Sequence, residues 1–111
     1  MSDKASLDFD TLRQANVARC EDVFHPLAEW SLSDWGVAMA GEAGEACNVI
    51  KKIRRGDHPF QFDVDEVLGD ELADVVLQLD LLAARAGIDL GEAVRRKFNV
   101  VSDRRHSDIR L

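Results

Sequence analysis

Apolar residues recur at helical spacing over four stretches of the chain, each bounded by residues that start or stop helices. The first stretch runs from about Leu7 to His25 and ends at Pro26, with Leu12, Val17, Cys20, Val23 and Phe24 on one face. Asn16 falls inside that face and Arg19 at its edge. The second begins after Ser31 or Ser33, either of which can cap it, and stops near Gly56, Asp57, His58 and Pro59. Its apolar face is Trp35, Met39, Ala43, Ala46, Val49, Ile50 and Ile53. A loop, HPFQFDVD, comes next, in which Asp63 or Asp65 caps a third helix of about Glu66 to Ala86, closed by Gly87. The fourth begins near Asp89 and carries Leu90, Val94, Phe98 and Val101.

The third helix is apolar on two sides: Leu68, Leu72, Val75, Leu79 and Leu82 on one, Ala73, Leu77, Leu81 and Ala84 on the other. A helix apolar nearly all round belongs at the centre of a bundle or in an oligomer interface. Short connections join antiparallel neighbours. The expected fold is therefore all-α, an antiparallel four-helix bundle with residues 1–111 as one domain.

Carboxylates interrupt this pattern. Glu42 and Glu45 are neighbours on one helix surface, as are Glu71 and Asp74 on the next. Glu42 lies inside the apolar stripe, and Glu71, Asp74 and Gln78 form a polar strip between the two apolar sides of the third helix. Carboxylates facing a core must be protonated, paired or bound to cations. Either pair alone reads better as a solvated edge or a helix entry than as a site. Two pairs on adjacent helices, both bordering the core, favour a cation site, and Gly41 and Gly44 leave room for a ligand or helix to approach. All-oxygen ligands select a hard cation, Mg²⁺ or Mn²⁺. A di-iron bundle needs Glu-x-x-His pairs, which His25, His58 and His106 do not supply.

Charge narrows the partners. The net charge of −7 argues against nucleic-acid polymers and anionic membranes, and no apolar run approaches the roughly 20 residues of a membrane span. The first residues are polar and acidic, unlike a signal peptide, and Cys20 and Cys47 suggest small core hydrophobes rather than a disulfide framework. A cytoplasmic location is expected. Lys51, Lys52, Arg54 and Arg55 suit the end of the second helix. Among Arg95, Arg96, Lys97, Arg104 and Arg105, however, Lys97 and Arg104 fall within the stripe of Leu90, Val94 and Val101. Cations buried on the side of surplus carboxylates point to a metal-bridged anion, most simply a di- or triphosphate.

The run GEAGEACNVIKKIRRGD, then DELADVVLQLDLLAARAGIDLGEAV, then RKFNVVSDRR, resembles the MazG-like family of all-α nucleoside triphosphate pyrophosphohydrolases, related to dimeric dUTPases and dCTP pyrophosphatases. The motif is Glu42-x-x-Glu45, 25 residues, then Glu71-x-x-Asp74, and the likeness covers about Trp30 to Arg105. The resemblance implies Mg²⁺-dependent cleavage between the α and β phosphates, with Mn²⁺ as a substitute and nucleotide-pool house-cleaning as the role. It implies Glu42, Glu45, Glu71 and Asp74 as metal ligands and catalytic residues, one Glu also handling the attacking water, and Lys97 and Arg104 as phosphate ligands. It also implies a homodimer or homotetramer. Asn16 and Trp30 are candidates for the base, whereas Trp35 reads as core. No regulatory second domain is expected. Two rival readings remain: a helical dimerisation module without turnover, and a hydrolase of another phosphorylated metabolite.

Overall fold

The computed structural model describes residues 6–57 and 63–111. Among them are four α-helices and no strand: α1 (Phe9–Arg19), α2 (Leu32–Arg55), α3 (Val64–Arg85) and α4 (Leu90–Arg104). Residues 1–5 of the polar N-terminus, and residues 58–62 with His58 and most of the expected loop, lie outside the described set.

Local chemistry sets the helix boundaries. Ser31 caps α2 in a reciprocal box: its Oγ accepts from the Asp34 N–H at 3.1 Å, and the Asp34 carboxylate accepts from the Ser31 N–H at 3.0 Å. Asp63 and Asp89 cap α3 and α4 through the N–H groups of Glu66 and Glu92, both at 3.1 Å. Gly56 and Gly87, at φ +69° and +71°, take the left-handed conformation that ends α2 and α3.

The first helix departs from the sequence reading. At Arg19 it passes into one turn of π-helix, Cys20–Phe24, in which the His25 N–H donates to the Cys20 carbonyl at 3.0 Å. This wider turn rotates the chain beyond it, so Cys20 is buried while Val23 and Phe24 are exposed. A short 3₁₀ turn, Leu27–Glu29, then leads to Trp30.

The core gathers around Cys20, Trp35 and Leu81, with Val17, Leu27, Trp30 and Leu82 packed against it. Trp35 also donates its indole N–H to the Leu27 carbonyl at 3.1 Å. Trp35 meets Leu81, while Glu42, two turns further along α2, faces Glu71 and Asp74, earlier in α3. That opposed register makes α2 and α3 an antiparallel hairpin, with α1 laid against α3.

Helix α4 is held differently. Among the described residues its one substantial contact within the chain is with α1, where a Cβ on Gly91 would sit 3.2 Å from Phe9 Cβ. Its stripe of Val94, Phe98 and Val101 is consequently exposed, as are Leu72, Val76 and Leu79 of α3. Cys47 and Ile50 are also exposed, so of the two cysteines only Cys20 is core. No helix among the described residues is long and apolar enough to cross a membrane.

Candidate active site

A cavity of about 480 Å³ opens between the π-turn and helices α1, α2 and α3. One end is acidic and the other aromatic. Glu42 and Glu45 reach the acidic end from α2, and Asp74 from α3. Carboxylate oxygens of Glu42, Glu45 and Glu71 lie within 4.8 Å of one another. The spacing of three residues on each helix, together with the hairpin register, brings them to one place.

The residues themselves test whether a cation fits. Glu42 Oε2, Glu71 Oε2 and Gln78 Oε1 are buried and have no hydrogen-bond partner among the described residues. Desolvation pushes the Glu42 carboxyl above its ordinary pKa, and the charges of Glu45, Asp74 and Glu71 add to the rise. Orphaned carboxylate oxygens crowded against like charge match the donor set of a hard divalent cation, so the residues fit the metal.

The raised Glu42 pKa has a signed consequence for the metal-free protein. Between the ordinary value and the raised one, the folded chain keeps a proton that the unfolded chain has released. Stability therefore falls as pH rises through that window, and levels off above it. Thermal melting in chelator across the acid range is expected to show this loss. In Glu42→Gln the loss shrinks; an identical profile would mean that Glu42 is not the group responsible.

The aromatic end is built by the π-turn and the loop after it. Trp30 lies 4.4 Å from His25 and 4.6 Å from Trp35, centroid to centroid, and all three line the cavity. Trp35 is only 2% exposed and belongs to the core, whereas Trp30 and His25 are partly exposed. His25 was not legible as a wall residue, because a helix at normal spacing does not foretell the π-turn that turns it inward.

Asn16, on α1, lines the cavity and is 4% exposed. Its amide nitrogen donates to the Leu77 carbonyl at 2.9 Å and to Asp80 Oδ2 at 3.1 Å. Asp80 is wholly buried and its Oδ1 accepts from Arg13 Nε at 3.0 Å. Sequence reading missed Asp80 and Arg13. The available signal was a lone aspartate set among leucines in LQLDLL.

Lys97 and Arg104 do not join the carboxylates. Both are exposed on α4, and neither lines this cavity; Lys97 borders another hollow with Phe98, Val101 and Arg105. The stripe that carries them is the expected one, but within one chain it faces outward because, among the described residues, the main contact of α4 is with α1.

Residues 34–107 match a family model described as the MazG nucleotide pyrophosphohydrolase domain. The matched span is about two thirds of the chain and includes all four carboxylates, Lys97 and Arg104, while Asn16 and Trp30 precede it. No curated protein matches the chain.

Proposed function

We propose that this chain, which belongs to the MazG nucleotide pyrophosphohydrolase family, hydrolyses a (deoxy)nucleoside triphosphate between its α and β phosphates, releasing the monophosphate and pyrophosphate. The observation that carries the reading is the pair of buried oxygens, Glu42 Oε2 and Glu71 Oε2, unpartnered among the described residues. Glu42 lines the acidic end of a cavity whose other end is aromatic, and Glu71 stands beside it. A volume near 480 Å³ suits a small ligand such as a nucleotide.

In this reading Glu42, Glu45, Glu71 and Asp74 hold Mg²⁺, for which Mn²⁺ can substitute. The cation supplies Lewis acidity to the phosphoryl group and offsets its charge. One of the Glu carboxylates orients the attacking water and takes its proton. Trp30, with His25 behind it, stacks on the base, and Asn16 faces the base edge. Lys97 and Arg104 bind phosphate oxygens and stabilise the charge that develops as the bridge breaks.

Since those two cations do not line the cavity of their own chain, the reading has them arrive from a second copy. The exposed stripe of Val94, Phe98 and Val101 and the exposed row of Leu72, Val76 and Leu79 supply the apolar surface for a homodimer or homotetramer. The radius of gyration, 16.9 Å, supports the same view, since a compact domain of this length measures about 13 Å.

The test is pyrophosphate release from a panel of canonical and modified nucleoside triphosphates with Mg²⁺ or Mn²⁺. Metal-dependent release of pyrophosphate with the monophosphate is expected. Release of orthophosphate instead, or no release from any nucleotide, would overturn the reading.

A further inference from the structure

We propose that Asp80 and Arg13 hold the Asn16 amide as a fixed hydrogen-bond acceptor on the cavity wall, so that the site takes a nucleotide whose base turns an N–H donor toward it. The inference rests on the nucleotide reading above and adds to it a polarity for the base edge.

The orientation of the amide follows from its partners. Asn16 Nδ2 lies 2.9 Å from the Leu77 carbonyl oxygen and 3.1 Å from Asp80 Oδ2. A backbone carbonyl and a carboxylate oxygen only accept, so the amide atom that faces both can only be the nitrogen. Both of its protons are then engaged. The remaining amide atom, Oδ1, has no protein partner among the described residues, and the side chain lines the cavity.

Nor can the clamp turn away. Asp80 is 0% exposed, and its second oxygen accepts from Arg13 Nε at 3.0 Å. Arg13 is itself tied to the turn after α3, where it donates to the Ile88 carbonyl at 3.0 Å. Groups from α1, α3 and that turn therefore set one amide plane. An asparagine free to rotate could offer either edge to a ligand. Flipped here, its oxygen would stand against two acceptors, so it offers the oxygen alone.

An acceptor held in one orientation on a cavity wall discriminates by what it leaves unpaired. An amino N–H, as on cytosine or adenine, or an imino N–H, as on uracil, satisfies it. A base edge that turns only acceptors inward is rejected, because neither oxygen nor ring nitrogen can donate. Asp80 and Arg13 do not line the cavity and act through Asn16, which makes them positioning residues.

The experiment compares kcat/KM for the best-used triphosphate with that for its donor-deleted analogue: purine for adenine, 2-pyrimidinone for cytosine, or N3-methyluracil for uracil. The wild-type protein is expected to favour the N–H substrate by at least about tenfold, mainly through KM. Asp80→Asn puts a donor where an acceptor stood, frees the Asn16 amide to turn, and is expected to bring the ratio within about threefold of one. A merely structural role for Asp80 would lower both substrates alike and leave the ratio at its wild-type value, which would overturn the proposal. A wild-type ratio near one would do the same. Should Asp80→Asn fail to fold, Asn16→Ala carries the test: the ratio collapses if the Asn16 oxygen is the acceptor and persists if it is not. No pyrophosphate from any nucleotide with wild-type protein would be a different failure, that of the nucleotide reading, and this inference would fall with it.

Discussion

Glu42→Gln is expected to lower metal-dependent pyrophosphate release by about 100-fold or more, while raising the melting temperature of the metal-free protein. The two effects have opposite signs for one reason. Glu42 is partly buried and stands in the field of Glu45, Asp74 and Glu71, with one oxygen unpartnered among the described residues. Without a cation that arrangement is unfavourable, so removing the charge relieves repulsion and desolvation. With a cation the same charge becomes a ligand, and its loss weakens stabilisation worth several kcal/mol, at about 1.4 kcal/mol per factor of ten in rate. Melting curves with chelator and with Mg²⁺, beside a pyrophosphate assay, read both. Activity within a few-fold of wild type would remove Glu42 from the reaction. A lower melting temperature in chelator would show that its charge is paired rather than crowded.

The largest effect on stability is expected from Trp35→Ala, a loss of about 3–5 kcal/mol. Trp35 is 2% exposed, anchors the cluster with Cys20 and Leu81, and satisfies the Leu27 carbonyl through its indole N–H. Truncation therefore opens a cavity where α2, α3 and the π-turn meet and leaves a carbonyl without its donor. Because a domain has only about 5–15 kcal/mol in hand, most of the margin would go. Urea unfolding monitored by circular dichroism checks this, with Trp35→Phe as the companion that keeps most of the volume and loses the hydrogen bond. A cost below about 1 kcal/mol for Trp35→Ala would mean that the cluster is not the core.

The clustering of the carboxylates was legible in the sequence because helical spacing converts directly into shared surface. Glu42 with Glu45, and Glu71 with Asp74, needed only the three-residue interval and a hairpin to converge, and the structure brings Glu42, Glu45 and Glu71 within 4.8 Å. Of the polar strip Glu71, Asp74 and Gln78 on α3, the last two line the cavity. Other parts were hidden by local geometry. Periodicity runs unbroken through Cys20–Phe24, yet the backbone there is a π-turn, and that one wider loop decides that His25 faces the cavity and Val23 the solvent. A wheel also places Lys97 and Arg104 on a stripe without saying what the stripe covers.

What the sequence determined by itself is whatever depends on neighbours a few residues away. The serine and aspartate caps, the left-handed glycines after α2 and α3, and the pairing of carboxylates along one helix face are set by bonds and spacing within a turn or two. Tertiary structure alone decided that Asp80 is wholly buried against Arg13 and Asn16, that the Asn16 amide nitrogen donates to Leu77 and Asp80, and that α4 leaves its apolar stripe outward. Those outcomes join residues more than 60 positions apart, or depend on which helix leans on which. They result from the packing of whole faces, which no local pattern encodes.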